Sequence, residues 1–314
     1  MIDIKKLGKD SKMLAFDTLG EALAQADKKP SKNWGATGSD ISSKEKSEER
    51  TEFTGTKSWE ENKRIAELGW NEGRALVDAS LTSIFDTGAA QLANAPQVQH
   101  AIAGAYPDVP LYCAGEIACM ISDAPEENGG KKIIKLVIDF GCPFNVKAQS
   151  LANRGAALAG LVDEIESAGH RCEVWGVHVS ASKQYNKKKN GKIPVKYFGA
   201  MICAKSAGEP LDIDRVAYTI GHPSTFRRIY FALLENEPFT DKSGYESGYG
   251  MSTRIPDAAL ENDVFYFPPL AANKSGLEGF ENEKDYGTPE KAMNRTREVY
   301  QQIADRRGAA EVAQ

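Results

Sequence analysis

The sequence predicts an α/β protein. A central mixed sheet carries a βαβ unit, flanking helices and a protruding basic β-hairpin, and it is not an oligonucleotide-binding (OB) barrel. Three observations predict this. Lys132 to Phe140 and Cys172 to Val179 are two largely apolar, strand-like runs. Between them Leu151, Gly155, Leu158, Val162 and Ile165 recur at helical spacing, so strand, helix and strand make one crossover. Beyond them Asn190-Gly191 marks a hairpin turn, because both central positions of such a turn favour positive φ, and Val195 to Ala204 is the returning strand. The sheet is therefore expected to be parallel across the crossover and antiparallel across the hairpin.

Taken in order, residues 27–52 are polar and rich in Ser, Gly and Lys, a mobile loop in which Trp34 either anchors to the body or awaits a ligand. Ser58 caps a helix and Glu61 reaches back, with Trp59, Ile65, Ala66 and Leu68 as candidate buried positions. Arg74 to Phe85 is a second helical piece, and residues 109–121 read as extended and buried. Asn145 is the expected cap of the crossover helix and Gly169 its stop. Asp212 or Asp214 caps a later helix with Ile213, Val216, Ala217 and Ile220 inward. The next starts at Pro223 and turns Phe226, Ile229 and Leu233 to one side, leaving Arg227 and Arg228 off that stripe. Ser243 to Gly250 is a tyrosine-glycine loop, and Asp263 to Pro269 a strand closed by prolines. A final helix has Thr288 as cap, Pro289 at its first position, and Met293, Thr296, Val299, Tyr300 and Ile303 along its stripe.

At 314 residues the chain can bury a large core. The expected organisation is an N-terminal segment with a mobile polar loop over 1–52, an α/β core domain over 53–280, and a C-terminal helix and tail over 281–314. No apolar run reaches the roughly 18 residues of a membrane span. The N-terminus, Met-Ile-Asp-Ile-Lys-Lys, lacks the apolar stretch of a secretory signal, so a cytoplasmic protein is expected. Cysteines 113, 119, 142, 172 and 203 are odd in number and include no Cys-x-x-Cys pair, which favours buried reduced thiols over disulfides. Cys172, Cys203 and His178 match no zinc-ligand spacing.

No phosphate-cradling Gly-x-x-x-x-Gly-Lys-Ser/Thr or Gly-x-Gly-x-x-Gly loop occurs, and the histidines 100, 170, 178 and 222 show no metal or triad spacing. Asp139 ends a strand that turns through glycine into a helix, where α/β folds place ligands. It resembles the start of the metal-ion-dependent adhesion site of von Willebrand A domains. That motif requires Asp-x-Ser-x-Ser, whereas Asp139-Phe-Gly-Cys-Pro143 lacks both hydroxyls. No enzyme, metal or cofactor is expected.

The chain's strongest departure from its own composition is Ser182 to Tyr197, which holds six lysines, two tyrosines and no acid within a chain of formal net charge -5. Such runs also serve to keep a sheet edge soluble. With tyrosines interleaved, they suit single-stranded DNA: lysines screen phosphates, and aromatic rings stack on bases at about 1–3 kcal/mol each. The candidate DNA-binding residues are Lys183, Tyr185, Lys187, Lys188, Lys189, Lys192, Lys196 and Tyr197, joined by Arg227 and Arg228.

Three segments, Thr51-Glu-Phe-Thr-Gly-Thr-Lys-Ser-Trp-Glu-Glu61 running on to Gly69-Trp70, Asp108-Val-Pro-Leu-Tyr-Cys-Ala-Gly-Glu116, and Leu136 to Asp139 with its helix, carry a resemblance over residues 51–210. The pattern is similar to the single-stranded-DNA-binding RNA polymerase cofactor (Drc) family of Enquatrovirus-related podoviruses. The resemblance implies a protein in the host cytoplasm that grips single-stranded DNA without strict sequence choice, in a fold unlike the OB barrel. It also implies a phage RNA polymerase as partner, brought to opened promoters for middle-gene transcription. A homo-oligomer is compatible with it. The motifs carry over no binding residue. The alternative is a von Willebrand A-like interaction module without DNA binding.

Overall fold

The computed structural model describes residues 2–7, 11–28, 51–86, 98–102, 106–123, 132–182, 185–186, 191–192, 196–236, 252–272 and 279–312. The loop around Trp34 and the tyrosine-glycine loop lie outside the described residues. In chain order the elements are β1 (Lys12–Phe16), α1 (Leu19–Ala26), α2 (Thr51–Thr54), α3 (Trp59–Leu68), α4 (Asn71–Asp86), β2 (Val98–Ala101), β3 (Tyr106–Pro107), α5 (Val109–Cys113) and β4 (Met120–Asp123). Then follow β5 (Ile133–Asp139), α6 (Ala148–Ser167), β6 (Arg171–Ser182), β7 (Tyr185–Asn186), β8 (Gly191–Lys192), β9 (Lys196–Lys205), α7 (Ile213–Gly221), α8 (Phe231–Asn236), β10 (Val264–Phe267), β11 (Leu270–Ala271), β12 (Glu281–Asn282) and α9 (Pro289–Val312). A π-helical turn, Thr225–Tyr230, leads into α8.

The fold is α/β, built on a five-stranded sheet in the order β1-β9-β6-β5-β10, and is not a barrel. β5 is parallel to β6 and to β10, β6 is antiparallel to β9, and β1 is parallel to β9. The crossover and hairpin thus set the mixed directions that the sequence predicts. Alternation gives each strand two different duties. Leu136, Ile138, Val174, Ala200, Ile202, Phe265 and Phe267 face the helices. Val137, Val177, Val179, Met201 and Tyr266 face a second cluster under Ile2, Leu7, Ile255 and Ala259. β1 is the edge strand of this sheet, and α9 packs on α6 and β10, so both ends of the chain join the core. Among the described residues no helix is long and apolar enough to cross a membrane.

α6 lies at the centre of the helical layer, against α4, α7 and α9, which is why its sequence is apolar on nearly every side. Small residues set how close its neighbours come. A Cβ on Gly155 would lie 2.0 Å from Gly221 Cα in α7, so the two helices meet backbone to backbone there. Leu151, Leu158, Val162 and Ile165 are buried, and Gly169 leaves the helix at φ 89°.

Several expectations change. Residues 109–121 are not buried, and only Met120 and Ile121 at their end are extended, in β4: the start is helical, with Asp108 capping α5 through Leu111 N–H and Pro110 in its first turn. Leu68 is 74% exposed because α3 ends there, at Gly69. Lys147, not Asn145, is the cap of α6 and makes no side-chain bond. Cys142, Cys172 and Cys203 are buried, but Cys113 is exposed. Ser58 does cap α3, and Glu61 reaches back to Lys57 N–H rather than to Ser58 itself. Of the two caps proposed for α7, Asp212 is the one used.

Gly155→Ala is expected to force α6 and α7 apart and destabilise the fold by about 1–3 kcal/mol in urea unfolding. Gly208→Ala, where an added methyl meets nothing within 4 Å, is expected to stay within about 0.5 kcal/mol of the parent.

Candidate nucleic-acid interface

β6 and β9 run for 12 and 10 residues, whereas β5 stops after 7. Their pairing continues past the Asp139–Val177 end of the β5–β6 ladder to Ser182 opposite Lys196. A shorter ladder follows, with Tyr185 opposite Lys192 and Asn186 opposite Gly191. The described parts of the basic segment therefore lie at the end of the β6–β9 pair and on a separate two-stranded ladder. Its two-residue turn is not Asn190-Gly191, because Gly191 is paired in a strand and the connection falls on 187–190, outside the described residues.

A two-stranded ribbon is marginal alone, and this one is held at its root along both edges. On the β9 side Tyr197 N–H donates to Ser11 Oγ at 3.0 Å, just before β1 takes over the pairing at Phe198. On the β6 side Ser252 bridges Ser180, and Thr253 N–H donates to Val179 O at 2.9 Å.

The predicted site residues divide three ways. Lys183, Lys187, Lys188 and Lys189 lie outside the described residues. Tyr185 and Lys192 are cross-strand partners, and Lys196 opens β9 opposite Ser182, so these three belong to one ribbon. Tyr197 is half-buried and packs on the Met201 and Val179 cluster, which commits part of its ring to the core.

Arg227 and Arg228 are a correction: both are buried, at 1% and 0% exposure. The π-helical turn carrying them is enclosed on every side, so no solvent face exists off the apolar stripe. Arg227 donates to Phe53 O at 2.6 Å and Val146 O at 2.7 Å, with its guanidinium 4.1 Å from the Phe53 ring centroid. Arg228 donates to Thr56 Oγ1 at 2.8 Å and Thr56 O at 2.9 Å. Together they fasten the 53–56 segment to the body. Their partners lie some 80 to 174 residues away in sequence, so no local pattern announces this.

A second polar constellation, at the carboxyl ends of β5, β6 and β10, was missed beyond Asp139 and His178. Asp139 Oδ1 accepts from Gly141 N–H at 2.9 Å and Oδ2 from the Tyr266 hydroxyl at 3.2 Å, while that hydroxyl accepts from Ile255 N–H. Burial pushes the Asp139 carboxyl up to about 7, against the pull of Gly141, Arg154 and Tyr266. His178 is packed edge-on to Phe226, faces Ser180 Oγ at 3.1 Å, and is lowered by burial to about 3. With both oxygens receiving donors, Asp139 caps backbone and ties β10 to β5. Cys172 and Cys203 face opposite sides of the sheet, so they and His178 cannot share one zinc. Among the described residues no three His, Cys, Asp or Glu side chains are grouped to hold a metal.

Residues 8–296 match a domain family of unknown function, DUF7192. The chain belongs to that family. No curated protein and no solved structure matches it. The DUF7192 span takes in the whole sheet, the ribbon and the strand-end constellation, so all three are parts of one family domain. Within it, the three segments on which the sequence rests its expectation of a Drc-like protein form α2 and α3, the short helix α5, and β5 with α6.

Arg227→Ala is expected to lower stability by about 3 kcal/mol, since two carbonyls lose a charged donor, with no change in the DNA affinity of the folded protein. A loss of affinity at unchanged stability would return Arg227 to the interface. Between the ordinary 3.8 of a carboxyl and about 7, the folded chain holds a proton on Asp139 that the unfolded chain has lost. Its contribution to stability is therefore present at low pH and disappears as pH rises through that window. Asp139→Asn is expected to gain on the parent by about 1.4 kcal/mol per pH unit there, read by urea unfolding from pH 5 to 8. A difference independent of pH would contradict the assignment.

Proposed function

We propose that this DUF7192 protein is a non-enzymatic single-stranded-DNA-binding protein whose ribbon is the main contact. The observation that carries the reading is the segregation of charge: six lysines and no acid on Ser182 to Tyr197, in a chain of net charge -5. The clamped root supports it, because an arm held along both edges presents its charges at less conformational cost on binding. A ribbon with six lysines and two tyrosines offers contacts to phosphates and to base faces, both of which are independent of sequence. In the form that the resemblance to the Drc family implies, the strand is an opened promoter and the protein brings a phage RNA polymerase to it for middle-gene transcription. The von Willebrand A-like alternative draws on the position of Asp139 at the end of β5. Its carboxyl accepts from Gly141 and Tyr266, and Asp139-Phe-Gly-Cys-Pro143 supplies neither of the hydroxyls that the adhesion motif requires.

The triple variant Lys187→Ala, Lys188→Ala, Lys189→Ala is expected to bind a labelled single-stranded oligonucleotide more weakly in fluorescence anisotropy. The dependence of log K on log salt should flatten by about 0.7 for each phosphate that a lysine no longer neutralises. A duplex of the same sequence should bind less tightly than the single strand in the parent. Equal affinity and equal salt slope for parent and variant would refute the reading.

A further inference from the structure

The segment 98–123 is built differently from the rest of the chain. β2, β4 and β3 form a three-stranded antiparallel sheet in that order, and α5 connects β3 to β4. His100, Ile102 and residues 107–121 are half-buried or exposed, none of them buried. Ile102, Val109, Tyr112 and Ile117 are 76%, 62%, 68% and 78% exposed. Polar bonds hold them in place instead of packing: Asp108 caps α5 at Leu111 N–H, 3.3 Å away, and pairs with His100 Nε2 at 2.9 Å. Small sheets need an apolar face covered to be stable, and a cluster of large exposed apolar side chains on a fixed backbone marks a contact surface.

Charge identifies what fits that surface. Residues 98–123 have three acids (Asp108, Glu116 and Asp123) and no lysine or arginine. The arm has the opposite composition, six lysines with no acid, and it adds apolar and aromatic side chains at Tyr185, Ile193 and Val195. An acidic apolar face and a basic apolar ribbon are complementary in both respects. Within one protomer the main contacts of the described part of the ribbon, β7 and β8, are with each other rather than with β2, β3, β4 or α5.

We infer that the exposed face of 98–123 docks the lysine arm of a second copy of this chain. The two surfaces are different patches, so the same contact either closes a pair by reciprocal exchange of arms or continues head to tail. This docking does not require that the arm bind DNA, because the arm's charge serves either partner. Where both hold, DNA and a neighbouring protomer compete for the same lysines.

The test uses the full chain without DNA and a fluorescein-labelled peptide of residues 182–197. The parent is expected to bind the peptide with an affinity that falls with salt, and the Glu116→Lys, Ile117→Asp variant to bind it at least about tenfold more weakly. Glu116 and Ile117 are exposed, so thermal unfolding should be the same for both proteins. In sedimentation velocity the parent should associate as concentration rises, and both this variant and the triple lysine variant should not. Equal peptide binding by parent and variant, a parent that remains monomeric, or association that survives removal of the lysines would each overturn the inference. Peptide binding without DNA binding would sink the DNA reading alone, and DNA binding without peptide binding would sink this one alone.

Discussion

Parallel strands that end together leave carbonyls pointing past the last ladder bond, and in this fold one side chain collects them. Arg154, 2% exposed and in the helix that follows β5, donates to Asp139 O at 2.8 Å and Pro268 O at 2.6 Å, and its guanidinium lies 3.2 Å from Glu281. A buried guanidinium is costly unless its donors are used and its charge is met. Here the acceptors come from β5, from the residue after β10 and from β12. The crossover helix is thereby fixed to the strands it must cover. Glu281 is met from its other side by Arg295 of α9, 3.6 Å away, so the last helix is tied to the same point.

That arrangement has a consequence for ligands. The carboxyl ends of parallel strands are where open α/β sheets usually bind small molecules. In this protein the place is taken by internal bonds: Asp139 with Gly141 and Tyr266, and Arg154 with two carbonyls and a carboxylate. His178 adds a neutral ring packed against Phe226 and Tyr230. The surfaces proposed above for partners lie outside this centre: the ribbon beyond β6 and β9, with lysine and no acid, and 98–123, with three acids and no lysine or arginine.

The fold was legible where one segment's own pattern decides its structure. The apolar run of β5, the stripe of α6, and the caps at Ser58, Asp212 and Thr288 follow from residues within a turn or two of each other. The reading failed at 109–121, where apolar content suggested burial although Asp108 and Pro110 already encoded a short capped helix. It failed also at Arg227 and Arg228. An arginine off an apolar stripe faces water only if nothing encloses that side, and Phe53 to Thr56 enclose it from far up the chain.

The sequence by itself determined the succession of strands and helices, the βαβ unit with its hairpin, and the concentration of lysine between Ser182 and Tyr197, because periodicity, caps and charge are local properties. Tertiary structure alone decided the strand order, the ion cluster at Arg154, the inward turn of the two arginines, and the exposure of Ile102, Val109, Tyr112 and Ile117. The physical reason is that burial and hydrogen-bond satisfaction belong to pairs of segments. Glu281 lies far along the chain from Arg154, and no pattern within either segment names the other.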